Sequence, residues 1–305
     1  MNDQTFNLII SVTAAIVLFL YSLRSFSVEL KEFGSDYIAQ WLGRITKNRV
    51  NGYLFGILIT AIIQSSSAVS SIVVALVDSG VLTFFNSLPI LLGSNVGTTF
   101  TAWLVAFKIE NLGSILIVLG TILSTLPYKI HLIGKSVFYL GLILFSLLLI
   151  SNALKPMSQD PDLVKIFTYA NNLWNGIMIG MVVTAIVQSS SVVTGLVIIL
   201  SQQGLISLEG ALAIIIGSNI GTSSTALLAS VKMSNYAKKA AKANAFFNFI
   251  GVVIFIPFFS IFVKFVAQIE VILPYKIAIA HLVFNVFVSL LFLSTLNIIA
   301  QRIFK

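Results

Sequence analysis

Cysteine is absent from the 305 residues of the chain, so disulfides, thiolate metal sites and cysteine nucleophiles are excluded. Charge is scarce: Asp, Glu, Lys and Arg make up 9% of the residues, where soluble domains carry about 25%. The two histidines and 10 acidic residues lie away from every serine cluster. No Ser–His arrangement follows from them, and an enzyme is not expected. The basic excess, a net charge of +8, sits in connecting segments, where it orients a membrane chain and does not call for nucleic acid.

Apolar residues dominate instead, at 58% of the chain. They gather in long runs at residues 6–23, 84–107, 112–126, 136–151 and 278–300. A bilayer needs about 20 apolar residues per helix, so these runs predict membrane spans and leave no separate soluble domain. The polar stretches 24–51 and 152–175 are expected to form short surface or amphipathic helices. The first run lacks a basic flank before it and is followed by Arg24, Lys31, Arg44, Lys47 and Arg49. That pattern predicts an uncleaved first span in a multi-pass cell-membrane protein, N-terminus outside and C-terminus cytoplasmic.

The chain also repeats itself. Thr60-Ala61-Ile62-Ile63-Gln64-Ser65-Ser66-Ser67 matches Thr184-Ala185-Ile186-Val187-Gln188-Ser189-Ser190-Ser191 at an offset of 124. At the same offset Gly93-Ser94-Asn95-Val96-Gly97-Thr98-Thr99 matches Gly217-Ser218-Asn219-Ile220-Gly221-Thr222-Ser223. Two motifs in one register predict two membrane repeats, 1–128 and 129–270, with a last transmembrane helix in 271–305.

Parity decides how the repeats are oriented. If segments 52–77 and 174–200 each turn back as a re-entrant hairpin, the copies have inverted topology with seven full spans; if each crosses, the copies are parallel. The distribution of Lys and Arg does not separate the two. Segment polarity favours the hairpins, because Gln-Ser-Ser-Ser halfway along invites a helix to unwind, and each arm of about 12 residues reaches only the bilayer midplane. The predicted fold class is an all-α integral membrane protein with two inverted repeats, each carrying a re-entrant helical hairpin. Transporters of that build place substrate at such discontinuous helices.

An oxyanion leaving water needs donors: hydroxyls, side-chain amides and the free N–H groups of a helix N-terminus. Each Gln-Ser-Ser-Ser offers all three, at Gln64, Ser65, Ser66, Ser67 and at Gln188, Ser189, Ser190, Ser191. A coupling cation needs oxygen acceptors, which Asn95, Thr98, Thr99, Asn219, Thr222 and Ser223 supply. The bland alternatives are that single hydroxyls bond back to their own helix and that the glycine blocks only let helices pack closely. Packing does not require Gln plus three Ser twice. His281 and His131 are read as locally bonded helix-end histidines rather than proton relays, and Asp78 as a solvated end charge.

These blocks resemble the type II sodium-phosphate cotransporters, including their bacterial members. Ala280-His281-Leu282-Val283-Phe284-Asn285 is similar to a further block of that family, with Ala243-Asn244-Ala245-Phe246-Phe247-Asn248 as a degraded copy. The resemblance implies a sodium-coupled phosphate symporter working by alternating access. Phosphate would sit at the hydroxyls and hairpin N-termini, and sodium near Gln64, Gln188, Ser190, Ser191 and Thr194. It implies no cofactor beyond sodium as coupling ion. Many bacterial members carry a soluble regulatory domain after the membrane part; none is expected here. The rival function is a passive anion channel, or a carrier for another oxyanion. Oligomeric state leaves no mark on the sequence.

Overall fold

The computed structural model describes residues 10–30, 48–107, 111–127, 129–156 and 161–302. Every regular element among them is helical. The first is α1 (Ile10–Leu30). It is followed by α2 (Arg49–Ile63), α3 (Ser66–Asp78), α4 (Phe84–Thr98), α5 (Phe100–Ala106), α6 (Leu112–Ser124) and α7 (Lys129–Leu154). The rest are α8 (Pro161–Thr168), α9 (Leu173–Val187), α10 (Ser190–Gln202), α11 (Leu208–Ser230), α12 (Asn235–Phe255), α13 (Phe259–Gln268) and α14 (Leu273–Arg302).

Among the described residues, six helical stretches are long and apolar enough to cross a membrane: Ile10–Leu30, Phe84–Ala106, Ile130–Leu154, Leu208–Ser230, Asn235–Gln268 and Leu273–Ile299. The chain is therefore a multi-pass membrane protein. The apolar run 112–126 differs from expectation. It yields α6, of 13 residues, or about 20 Å at 1.5 Å per residue, short of the ~30 Å hydrocarbon core. The polar stretch 152–175 holds the eight-residue α8, bent by 102° from α9, as an amphipathic surface piece would be. Residues 31–47 of the other polar stretch lie outside the described residues.

Capping residues recur at the offset of the sequence repeat. Asn48 caps α2 by accepting from the Val50 N–H at 3.0 Å, and Asn172 caps α9 by accepting from the Trp174 N–H at 3.0 Å. Thr83 and Ser207 do the same for α4 and α11. Such side chains satisfy N–H groups that no helix can satisfy internally.

Packing is set by glycine. A Cβ on Gly93 would collide with the main-chain oxygen of Tyr53, and one on Gly97 with that of Ile57. Gly217 and Gly221 meet Ile177 and Met181 in the same way. The shared role of the glycines in the two Gly-Ser-Asn blocks is thus backbone contact between α2 and α4, and between α9 and α11. Gly52 lies against Pro89 and Gly97 against Thr60, so α2 and α4 run in the same direction from neighbouring starts. Only residues 79–83 separate α3 from α4, a reach of roughly 20 Å at most, so α3 brings the chain back toward the start of α2. The same contacts, Gly176 against Ala213 and Gly221 against Thr184, describe α9 to α11.

Candidate functional site at two helix breaks

The local sequence explains each break. Gln64 ends α2 in the left-handed region (φ 58°, ψ 25°), its N–H still bonded to Thr60 O at 2.8 Å. Ser65 is extended and opens α3, its hydroxyl accepting from the Ala68 N–H at 3.2 Å. Gln188 (φ 57°, ψ 27°) and Ser189, which accepts from the Val192 N–H at 3.4 Å, repeat this geometry. A non-glycine residue at positive φ costs on the order of 1–3 kcal/mol and concentrates at functional sites. Here it occurs twice, at the same motif position. The N–H groups of Ser66 and Ser67, and of Ser190 and Ser191, lie in the first turn of α3 and α10, where no intrahelical acceptor exists.

The two breaks meet. Ser67 donates its hydroxyl to Gln188 O at 2.8 Å. Thr101 Oγ1 donates to Gln64 Oε1 at 2.8 Å and lies 3.1 Å from Ser191 Oγ. Since one hydroxyl has one proton, Ser191 acts as donor in the second contact. Thr225, at the position equivalent to Thr101, reaches Ser67 Oγ at 3.4 Å. Gln64, Ser66, Ser67, Ser190, Ser191 and Thr194 are all buried. Gln188, by contrast, is exposed, so the two halves are unequal. Ser66 and Ser190 make no side-chain hydrogen bond among the described residues, and Thr194 Oγ1 is buried without a partner.

The Gly-Ser-Asn blocks divide. Thr98, Thr99 and Thr222 bond back to Ser94 O, Val96 O and Ser218 O within their own helices. Asn219 turns to Ile215 O at 3.4 Å. Asn95 instead donates to Asn248 Oδ1 at 2.7 Å, and Asn248 donates to Ser223 Oγ at 2.9 Å. The helix is interrupted for one residue at Thr99, between α4 and α5, while the equivalent stretch of α11 is continuous.

Sequence reasoning missed Thr101, Thr225 and Asn248. A signal existed for the threonines, since Thr101-Ala102 matches Thr225-Ala226 in the repeat register. His131 is locally bonded, to Ser124 O. His281 corrects the expectation of a helix-end histidine: it lies inside α14, is 1% exposed, and neither ring nitrogen has a partner among the described residues. Asp78 is an exposed end charge as expected. Its carboxylate accepts from the Ser234 N–H at 2.6 Å, and that N–H, with the Ser234 hydroxyl, holds its pKa below the usual value. No Asp, Glu, Lys or Arg is among the buried polar side chains, and no group of three or more His, Cys, Asp or Glu is placed to hold a metal among the described residues. A cavity of about 390 Å³ opens between the ends of α5 and α10 and the α6–α7 pair, but no side chain of the Gln-Ser-Ser-Ser or Gly-Ser-Asn motifs lines it.

A multi-pass helical protein with a neutral polar cluster buried where two helices break has the build of a membrane transporter. The chain belongs to the Na+/Pi-cotransporter family, whose profile matches it twice, over residues 18–152 and 142–273. It is 35% identical over 298 residues to the protein YqeW of Bacillus subtilis (strain 168), covering 97% of each chain. It is 30% identical over 220 residues to the Escherichia coli (strain K12) protein named "Putative inorganic phosphate export protein YjbB", covering 71% of this chain and 40% of that one. A segment of 62 residues, 20% of this chain and 10% of its relative, is 48% identical to sodium-dependent phosphate transport protein 2A of Ovis aries. No solved structure matches.

Proposed function

We propose that this chain is a sodium-coupled phosphate symporter that works by alternating access, with the anion held between the two Gln-Ser-Ser-Ser breaks. The observation that carries this reading is the meeting of the breaks, Ser67 Oγ to Gln188 O at 2.8 Å, where the buried polar side chains among the described residues include no Asp, Glu, Lys or Arg. An oxyanion there would take hydrogen bonds from the N–H groups of Ser66, Ser67, Ser190 and Ser191 and from the hydroxyls and amides of both motifs. Neutral donors bind a phosphate without the tight ion pairing that would slow its release.

The repeats are read as 1–128 and 129–270, inverted, with 271–305 as a further span. Four pairings support the inversion. Ser67 meets Thr225 and Asp78 meets Ser234, so α3 runs alongside the second half of α11. Ser191 meets Thr101 and Gly195 faces Val105, so α10 runs alongside α5. Since α3 returns along α2 and α4, the α4–α5 helix and α11 point in opposite directions. The arms of 15 and 13 residues are about 22 and 20 Å long, which suits hairpins entering from opposite sides and meeting near the midplane. An N-terminus outside and a C-terminus cytoplasmic need seven crossings, the six long stretches and the short α6.

Sodium is assigned to oxygens beside the breaks: Gln64, Gln188, Ser190, Ser191 and Thr194, with Asn95, Thr98, Thr99, Asn219, Thr222 and Ser223 nearby. The orphaned Thr194 hydroxyl favours this. Net direction follows the summed gradients, and the relative named for phosphate export makes efflux part of the test. Proteoliposomes holding the purified chain should take up radiolabelled phosphate when sodium is outside and release it when the gradient is reversed. Flux indifferent to sodium would leave the passive anion carrier as the better description.

A further inference from the structure

Asn248 stands between the two Gly-Ser-Asn blocks, 3% exposed. Its Oδ1 accepts from Asn95 Nδ2 and its own Nδ2 donates to Ser223 Oγ. A primary amide carries its donors on nitrogen and its acceptor on oxygen, so fixing one end fixes the other. With its nitrogen held, Asn95 keeps Oδ1 as an acceptor that makes no protein hydrogen bond among the described residues. The second repeat lacks this arrangement. Asn219 sends its Nδ2 back to Ile215 O. The position equivalent to Asn248 is Ser124, at the end of α6, where the hydroxyl donates to Thr121 O at 2.7 Å.

We propose that Asn248 is a positioning residue for one coupling cation: it presents the Asn95 oxygen to sodium, so the first Gly-Ser-Asn block binds sodium more tightly than the second. This rests on the reading of the chain as sodium-coupled. A cation is repelled by the N–H face of an amide and drawn to its oxygen, and an unheld amide must spend part of its time turned the wrong way. The two repeats, alike in sequence, thereby become unlike as cation sites.

The test uses the purified full chain in detergent and reads thermal stabilisation by sodium chloride against choline chloride, which reports binding without transport. Replacing Asn248→Leu should raise the sodium concentration for half-maximal stabilisation about tenfold, the loss of roughly one well-placed contact. Asn248→Asp keeps an acceptor for the Asn95 N–H and should leave that concentration at or below the wild-type value. In the Asn95→Ala background the Asn248→Leu change should add nothing, because its effect passes through Asn95. In proteoliposomes, Asn248→Leu should leave the phosphate KM at saturating sodium within about twofold of wild type, a purely sodium-side effect. The proposal is overturned if Asn248→Leu leaves the sodium dependence unchanged, acts at full size without Asn95, or moves phosphate and sodium together. If wild type itself shows no stabilisation by sodium, the reading as a sodium-coupled protein falls and takes this proposal with it.

Discussion

Thr101 lies within hydrogen-bond distance of both Gln64 and Ser191, at 2.8 and 3.1 Å, and so joins the break of one repeat to the break of the other. Its counterpart Thr225 reaches Ser67 alone, at 3.4 Å. Thr101→Val keeps the shape and strands Gln64 and Ser191, so it should lower the stability of the purified protein by about 1–3 kcal/mol. Thr225→Val should cost clearly less. Chemical denaturation in detergent compares them; equal losses would contradict the asymmetry.

Exposure of the two glutamines predicts a second difference. The chain has no cysteine, so Gln188→Cys and Gln64→Cys each introduce the only thiol. Gln188 is exposed and Gln64 is 3% exposed beneath Thr101. A small hydrophilic maleimide should label the Gln188→Cys protein at least about tenfold faster, since modification of a buried thiol waits on local opening. Comparable rates would mean the breaks are equally accessible.

The glycine contacts predict which substitutions the fold refuses. Gly93→Leu and Gly217→Leu place side chains where main-chain oxygens of Tyr53 and Ile177 already stand. Overpacking of this kind exceeds the 1–3 kcal/mol typical of an added methylene group, and neither variant should yield monodisperse protein. Gly80→Ala meets no neighbouring atom. It strains only a positive φ of 75°, a cost on the order of 1 kcal/mol, so that variant should purify normally. Size-exclusion profiles decide.

Much of this was legible because the chain carries its own alignment. The Gln-Ser-Ser-Ser and Gly-Ser-Asn matches fixed one register, and helix bounds follow it: α2 and α9, like α3 and α10, begin and end at equivalent residues. Gln64 and Gln188 were legible as breaks because a polar run interrupts an apolar helix. Partners across the fold were not. Asn248 closes a block that the sequence marks, but its partners depend on α12 lying against α4. Nor does the sequence say that Asn95 reaches outward while Asn219 folds back, since the two blocks are nearly identical and differ in what stands beside them. The short α6 was misjudged because an apolar run gives composition, whereas its length is set by the turn at Thr125 and Leu126.

The most direct test of the central claim, that phosphate passes between two helix breaks that must part, is a cross-link. In the Thr101→Cys, Ser191→Cys double variant the thiols fall where the two side-chain oxygens now stand 3.1 Å apart, close enough for a disulfide to form on oxidation and to tie the second break to the helix that holds the first. The account predicts that oxidation joins them and abolishes sodium-driven phosphate uptake into proteoliposomes, and that a reductant restores it. Full uptake by cross-linked protein would contradict the account, as would failure of the thiols to join.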